Sequence, residues 1–267
     1  VIVPEQFTMQ TQRTLVEMHP GGGILNIDVL SFERLAYRVF EEVGADNRKL
    51  LEETGKSMVL QKLLQGCRKD MPYLGNQMKK PGYLNEVKSL VSEFMQYDIR
   101  EEEFAQILDK AEEKSLLQMK ILDVGVLYRA FRGYLREHYM TSEEVLDVLV
   151  EALPLSEKIK GSIVLLDGFT GFTPIQNKVI RELLALCHKV FVTVTMDAGE
   201  DPFIKGKTHH LFYMSRKMIQ TLSAMTRELE DPIRIKPGER SRFANSPALA
   251  FLESYIFRYR KEVYEKE

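Results

Sequence analysis

The stretch "IVLLDGFTGFTPIQ", residues 163–176, constrains the fold more than any other part of the sequence. Its four consecutive apolar residues indicate a strand that is buried on both faces, as in a parallel sheet flanked by helices. The strand ends on an acid, Asp167, and Pro174 suits the first turn of a helix. A buried strand followed closely by a helix is typical of an α/β protein. The predicted fold class is therefore α/β with a parallel sheet.

The same strand–helix alternation begins the chain. The sequence predicts a strand at Val1–Val3 followed by a helix at 6–18. It then predicts a second strand at Ile24–Leu30 followed by a helix at 31–43. Ser31 is a suitable N-cap for the second helix. The glycines at 21–23 precede a strand, whereas a phosphate-binding loop follows one, so we interpret them as a turn. Because the chain opens within a strand and without Met, we expect the natural protein to have residues upstream of Val1.

The alternation resumes at residue 163 and continues to the end of the chain. After the helix that begins at Pro174, the sequence predicts a strand at Val190–Val194 and a helix at about 210–228. A short strand at Ile233–Ile235 and a last helix at about 247–258 follow.

A block with helical periodicity alone separates these two parts. Apolar residues recur every three or four positions, as in Val87, Val91 and Met95, and Thr141 with Glu144 fits a capping box. We expect five or six helices and no strand in this block. The predicted domain organisation is a first α/β part at 1–44, a helical insertion at 45–160 and a second α/β part at 161–267.

Composition and spacing exclude several classes of protein. The net charge of −2 gives no global basic field, so any DNA contact has to be local. Cys67 and Cys187 fit no metal or redox spacing and are interpreted as free thiols. His209 and His210 are adjacent and point in different directions, so we interpret them as a solvated pair. No segment approaches the roughly 20 apolar residues of a membrane span.

Two short segments imitate a phosphate-binding loop without matching it. Such a loop needs a glycine five residues before its Gly-Lys-Ser or Gly-Lys-Thr and follows a strand directly. Gly55–Ser57 has Leu50 at that position, and Gly206–Thr208 has Asp201 there. We therefore predict no phosphate-binding loop in this chain.

Three stretches together resemble one family. "VPEQFTMQTQRTL" from Val3, "LSFERLAYRVFEEVG" from Leu30 and "LLDGFTGFTPIQ" from Leu165 resemble the AddB subunits of bacterial AddAB (RexAB) helicase-nucleases. The resemblance covers nearly the whole chain and corresponds to the amino-terminal region of that large subunit. It implies a RecA-like parallel sheet of the P-loop NTPase, UvrD-like helicase class, interrupted by a helical domain.

The resemblance also implies candidate DNA contacts. The first stretch occupies the place of a helicase motif that lines the single-strand path, which makes Phe7 and Thr8 candidates. The second matches the following motif through Ser31, Phe32 and Arg34, and departs from it at Glu33, where the family pattern has histidine. A carboxylate repels the phosphate backbone and weakens binding at that point. Phe7 and Phe32 can each stack on a base, and the alternative is that both belong to the hydrophobic core.

Asp167 takes the place of the magnesium-supporting acid in the resemblance. Active helicases follow that acid with a glutamate that activates water, and here the next residue is Gly168. The segment after the next strand also lacks the glutamine that contacts the γ-phosphate in active relatives. We therefore predict no catalytic residue in this chain and a vestigial nucleotide site at Asp167. The alternative is an ordinary strand-end acid that caps the following turn.

The cofactors and partners implied by the resemblance are those of the whole family. We expect no cofactor in this chain, whereas the family implies ATP, magnesium and a 4Fe–4S cluster held outside it. The implied partners are an AddA-type helicase/nuclease subunit, in a heterodimer, and single-stranded or broken duplex DNA, in the cytoplasm and without a membrane. The expected role is a degenerate helicase-like region in double-strand break repair, which holds the single strand and recognises a recombination hotspot sequence. The alternative is a docking platform for the partner motor that makes no DNA contact.

Overall fold

A computed structural model gives the structure of the chain. It describes residues 1–44, 48–77, 80, 82–97, 99–110, 115–197, 200–204, 206–235, 243, 245–256 and 262–265. The chain divides into two compact units, Val1–Thr193 and Val194–Glu267. The domain bounds drawn from the sequence stay predictions.

The first unit is mostly helical, with short strands. Its helices and strands, in chain order, are α1 Thr8–Met18, α2 Phe32–Val43, β1 Lys49–Leu50, α3 Glu53–Gly66, α4 Tyr83–Gln96, α5 Glu101–Lys110, α6 Leu116–His138, β2 Tyr139–Met140, α7 Ser142–Ala152, β3 Ile163–Leu166, α8 Pro174–Leu186 and β4 Lys189–Val192. Short 3₁₀ turns lie at Glu5–Phe7, Arg68–Asp70, Leu74–Asn76 and Leu153–Leu155. The second unit contains α9 Tyr213–Ser223 and α10 Pro247–Tyr255.

A small parallel sheet lies in the first unit. β3 and β4 pair in parallel, from Ile163 opposite Lys189 to Leu166 opposite Val192. Ile2 forms parallel bridges to both Leu30 and Leu166. Four parallel segments therefore lie side by side, in the order Leu30, Ile2, β3 and β4. The predicted parallel sheet is confirmed, although only β3 and β4 are regular strands.

Two predicted strands are wrong. Of the strand expected at Ile24–Leu30, only Leu30 pairs, and Leu25 is 98% exposed. Asn26 and Asp28 interrupt the apolar run, and both residue types disfavour strands. Residues 233–235 are exposed and pair with no strand among the described residues, so the strand predicted at Ile233–Ile235 is wrong.

The helical block has a core of its own. Helix α3 packs against both α4 and α6, and the predicted stripe residues Val87, Val91 and Met95 are buried there. The capping box at Thr141 and Glu144 is present at the start of α7. Five α-helices, α3 to α7, begin and end within the described residues of this block, in agreement with the five or six expected.

The helical block also contains two short strands, β1 and β2. β1 and β2 form a two-residue parallel pair, and the amide of Leu51 donates to the carbonyl of Met140 at 2.8 Å. The prediction of a strandless block is wrong here. β1 enters the helical bundle before α3 and β2 leaves it after α6, so the two segments lie side by side and satisfy each other's backbone groups.

Helix α7 joins the helical block to the sheet. It packs against α2 and α8 as well as α4, and its inward residues Val145, Leu149 and Ala152 are buried. Helix α8 in turn lies against β4. Among the residues that the structure describes, no helix is long and apolar enough to cross a membrane.

Candidate functional site at the ends of the parallel strands

Asp167 follows β3 directly and is held by its neighbours in the sheet. Its amide donates to the carbonyl of Ile2 at 2.9 Å, and the hydroxyl of Thr193 donates to its Oδ1 at 2.5 Å. Thr193 follows β4, so the register of the two strands places acid and hydroxyl side by side. The carboxylate is thus fixed at the carboxyl edge of the sheet, with one oxygen already accepting a hydrogen bond.

Gly168 turns the chain away from the sheet after Asp167. Its φ is +78°, a left-handed conformation that glycine adopts at little cost and other residues disfavour. Its amide donates to the hydroxyl of Thr193 at 3.4 Å, so Thr193 contacts two consecutive residues of the turn. A Cβ at this position meets only Pro4 Cδ, at 3.6 Å. The backbone conformation, rather than crowding, therefore favours glycine.

Three aromatic rings gather beyond the turn. The Phe32 ring lies 5.6 Å from that of Phe169 and 6.2 Å from that of Phe172, both edge to face. The Phe169 and Phe172 rings are 5.0 Å apart. Phe32 is buried, whereas Phe169 and Phe172 are half-buried. We call these three residues the aromatic cluster; it packs the loop after β3 against the start of α2.

The polar candidates near this cluster have local hydrogen-bond partners. Ser31 is buried and its Oγ accepts from the amide of Arg34 at 3.3 Å, which caps α2 as expected. Thr8 is buried and its hydroxyl donates to the carbonyl of Glu5 at 2.9 Å. Arg34 Nε lies 3.2 Å from Glu5 Oε1, and both side chains are half-exposed.

Phe7 is exposed, whereas the other candidate ring, Phe32, is buried. Phe7 lines an open cleft of about 410 Å³ between α1 and the ends of two parallel segments. The cleft is lined by apolar and uncharged polar residues and by one acid, namely Val1, Val3, Phe7, Gln10, Thr11, Thr14, Leu15, Leu165, Asp167 and Gly168. The structure thus brings Phe7 and Asp167 to one cleft, and Phe32 and Arg34 to the start of α2.

The described residues offer few ligands for a cation. No group of three His, Cys, Asp or Glu side chains among them is placed to hold a metal ion. One of the two sequences that imitate a phosphate loop, Gly55–Ser57, lies inside α3. There the fully buried Lys56 is 2.9 Å from Glu53 and donates to Ser92 at 3.0 Å, so it is not free to bind a phosphate. At the strand ends, Asp167 and Thr193 supply one carboxylate and one hydroxyl.

Thr193 and the two loop phenylalanines were not among the predicted site residues. The strand predicted at Val190–Val194 extended beyond Val192, where β4 ends, which hid the fact that Thr193 follows β4 as Asp167 follows β3. Given two neighbouring parallel strands, the first residue after each one is a signal that could have found this pair. Phe169 and Phe172 carry a weaker signal, namely two aromatic residues in a short loop at the carboxyl edge of the sheet.

Comparison with known proteins places the chain in one family. The profile described as "ADDB, N-terminal" matches residues 1–253, and the chain therefore belongs to that family. Its relatives include the B subunits of ATP-dependent helicase/deoxyribonucleases. That of Lachnoclostridium phytofermentans is 43% identical over 274 residues, which cover 100% of this chain and 24% of the relative. Those of Thermoanaerobacter sp. and Clostridium novyi are 32% and 30% identical, over 100% of this chain and 23% of each relative. The chain thus spans about a quarter of the length of the curated relatives it matches.

Proposed function

We propose that the chain is the helicase-like, catalytically degenerate region of a subunit that processes broken DNA. In this proposal the four parallel segments are the remnant of a RecA-like sheet, and the helical block is its insertion domain. The whole protein acts with an AddA-type helicase/nuclease partner in the cytoplasm, in the repair of double-strand breaks by recombination. Its magnesium, ATP and iron–sulfur chemistry are held outside this chain.

The observation that carries the proposal is the geometry at Asp167. An acid at the carboxyl end of a buried parallel strand is where a nucleotide-hydrolysing enzyme supports its magnesium. Here the next residue is Gly168 in a left-handed conformation, and Thr193 already donates to Oδ1. One carboxylate and one hydroxyl do not fit a magnesium–nucleotide complex by themselves, and the described part of the chain adds no phosphate cradle to them. These observations support a site in which Asp167 keeps the position of the magnesium-supporting acid but nucleotide hydrolysis has been lost.

The same edge of the sheet supports a role in holding single-stranded DNA. Bases stack on exposed aromatic rings, and arginine neutralises the phosphate backbone. Phe7 and Arg34 are exposed, whereas Thr8, Ser31 and Phe32 are buried. We propose that Phe7 and Arg34 make the direct contacts and that the buried candidates position them. Recognition of a hotspot sequence involves further parts of the whole protein.

Fluorescence anisotropy with a labelled single-stranded oligonucleotide, over a series of salt concentrations, tests this role. We expect weak, salt-sensitive binding, because the net charge is −2 and the contacts are few. Arg34→Gln should flatten the dependence of log K on log salt by about 0.7 for one lost phosphate contact. Arg13→Gln is the matched control, since Arg13 is exposed and also paired with a glutamate, Glu17, on α1. Submicromolar binding that persists in high salt, or equal effects of the two substitutions, contradicts the proposal.

A docking role is the second candidate, and one observation in the second unit favours it. Four large apolar side chains around the start of α9 are exposed, namely Phe203, Ile204, Leu211 and Met214. Exposed apolar side chains that form a patch mark protein–protein contacts. A pull-down experiment with the purified AddA-type partner, using this chain with and without Ile204→Glu, distinguishes a docking platform from a DNA-holding element.

A further inference from the structure

The second half of α6 presents a strongly basic face to solvent. Arg129, Gly133 and Arg136 are exposed, and Arg132 lies between them and is half-buried. With 3.6 residues per helical turn, these four positions fall within about 100° of one another. The opposite side of the helix packs into the core of the helical block, through Leu127, Phe131 and Leu135. We call Arg129, Arg132 and Arg136 the basic face.

The charge of the basic face is not neutralised by the described part of the chain. From Val124 to Arg136 the helix carries three arginines and no acid. No described carboxylate forms an ion pair with any of the three, whereas three arginines of α1 and α2 each pair with one, namely Arg13, Arg34 and Arg38.

Glu144 is the one described acid with a recorded electrostatic influence from the basic face. Burial raises the pKa of Glu144, and the Thr141 amide, Arg48 and Arg132 act against that shift. One acid against three arginines leaves the face positive. The net charge of −2 requires any DNA contact to be local, and this face is a local basic surface.

Gly133 lies in the middle of the basic face, and the fold does not require it. A glycine inside a helix destabilises the helix relative to alanine. Its φ is not positive, and a Cβ at this position meets no atom within 4 Å. Glycine also lets the backbone approach a ligand closely. A glycine among three arginines therefore suits a bulky anion that lies against the helix.

The aromatic rings beside the basic face are already engaged. Arg132 lies 5.9 Å over the ring of Tyr128, and Tyr134 stacks on Tyr139 with the ring centroids 6.2 Å apart. Proteins that hold single-stranded DNA combine a basic groove with rings that stack on the bases. Duplex DNA offers closely spaced phosphates and a major groove wide enough for an α-helix. The chemistry of the basic face therefore matches a duplex better than a single strand.

We propose that the basic face of α6 binds the phosphate backbone of duplex DNA, independently of its sequence. Arg129 and Arg136 are about 10 Å apart along the helix axis, at 1.5 Å per residue, so they contact different phosphates. Gly133 allows the DNA backbone to pass close to the helix. The site lies on the helical block and involves neither Phe7 nor Arg34. It rests on the proposed function only in taking DNA as the polyanion.

Fluorescence anisotropy with a labelled blunt duplex, over a series of salt concentrations, tests the site in the 267-residue chain. Arg129→Gln combined with Arg136→Gln should flatten the dependence of log K on log salt by about 1.8, at about 0.9 for each lost phosphate contact. Arg13→Gln combined with Arg38→Gln is the charge-matched control, because both arginines are exposed and lie outside the helical block. An unchanged slope in the first double variant, or equal changes in the two, overturns the proposal.

Gly133→Leu provides an independent readout. It should weaken duplex binding, because the new side chain occupies the space over the helix. The melting temperature should not fall, because leucine forms helix better than glycine and the position is open. A residue with only a structural role would change binding and melting temperature together. Unchanged duplex affinity in this variant overturns the proposal.

Two other polyanions serve as comparison ligands in the same assay. Loss of single-strand binding as large as the loss of duplex binding, in the Arg129 and Arg136 double variant, assigns the face to single strands. Displacement of the duplex by poly-glutamate as readily as by unlabelled duplex assigns it to an acidic protein. Either result overturns the duplex assignment.

The assay also separates this inference from the proposed function. Single-strand binding that depends on Arg34, together with duplex binding that ignores Arg129 and Arg136, overturns the inference and leaves the proposed function standing. Failure to bind either form of DNA overturns both.

Discussion

Gly168 and Thr193 show how single residues define the end of β3. The left-handed turn at Gly168 aims the following loop toward Phe32, and the Thr193 hydroxyl bridges the Asp167 carboxylate and the Gly168 amide. Two substitutions test these roles separately, one through the backbone and one through the hydrogen bonds.

Gly168→Ala should destabilise the chain by about 1 kcal/mol, because alanine disfavours a φ of +78°. Gly133→Ala should have the opposite effect and stabilise it by about 0.5–1 kcal/mol, because Gly133 lies inside α6 with open space for a Cβ. Urea denaturation of both variants measures the two changes. Stabilisation by Gly168→Ala contradicts the assigned turn geometry.

Thr193→Val should cost about 1–3 kcal/mol, since it removes the donor to Asp167 Oδ1 and leaves the size of the side chain unchanged. Thr193→Ser keeps the hydroxyl and should recover most of that loss. The valine variant should therefore unfold at a lower urea concentration than the serine variant. Equal midpoints would show that the hydroxyl contributes nothing to the strand ends.

At the scale of elements, the sequence was most informative where local chemistry decides the outcome. Pro174 and the apolar run before Asp167 predicted α8 and β3, and Ser31 predicted the start of α2. The β1–β2 pair could not be predicted, because Lys49–Leu50 acquires its partner only when the helical bundle brings Tyr139–Met140 beside it.

The end of α2 is tied to the turn after α7 by one acid. Glu42 Oε2 accepts from the Ser156 hydroxyl at 2.6 Å, and Oε1 accepts from the Lys158 amide at 3.0 Å. The Ser156 hydroxyl, with the backbone amides that follow it, holds the pKa of Glu42 below its usual value of 4.5. A lowered carboxyl pKa stabilises the fold above the ordinary carboxyl range, and the stabilisation disappears as the pH falls through the folded-state value.

Ser156→Ala should therefore destabilise the chain more at neutral pH than at a pH below the folded-state pKa of Glu42. Glu42→Gln removes the titrating group itself, so the free energy of unfolding of this variant should lose the pH dependence that Glu42 contributes to the unsubstituted chain. Urea denaturation of both variants at several pH values measures the difference. A larger effect of Ser156→Ala at low pH than at neutral pH would contradict the assigned direction of the Glu42 pKa shift.

At the scale of the whole molecule, the position of the candidate site could be predicted from the sequence, but not all of its residues could. The acid at the end of a buried strand and the N-cap of α2 are local patterns, so Asp167, Ser31 and Phe32 could be placed near one edge of the sheet from the sequence. The exposure of these residues could not be predicted from the sequence, because the burial of Ser31 and Phe32 depends on how the loop after β3 folds back. Phe7, which the sequence could not distinguish from Phe32, is the ring that stays accessible.

The chain should not hydrolyse ATP, and Gly168→Glu should not change that. Hydrolysis requires a cradle for the phosphates, an acid that places magnesium and a base that activates water. The chain retains an acid at Asp167, whose Oδ1 already accepts from Thr193. Loss of a general base alone costs roughly 10²–10⁴-fold in rate, but restoring a carboxylate cannot help where nucleotide is not held.

Phosphate release in the presence of magnesium and single-stranded DNA measures this directly. Gly168→Ala is the matched control for Gly168→Glu, because it imposes the same backbone strain without a carboxylate. All three proteins should match the blank without protein. Turnover by the unsubstituted chain would show that Asp167 belongs to a working site. Turnover by Gly168→Glu alone would show that some other segment of this chain binds the phosphates, since alanine at the same position supplies the strain but not the base.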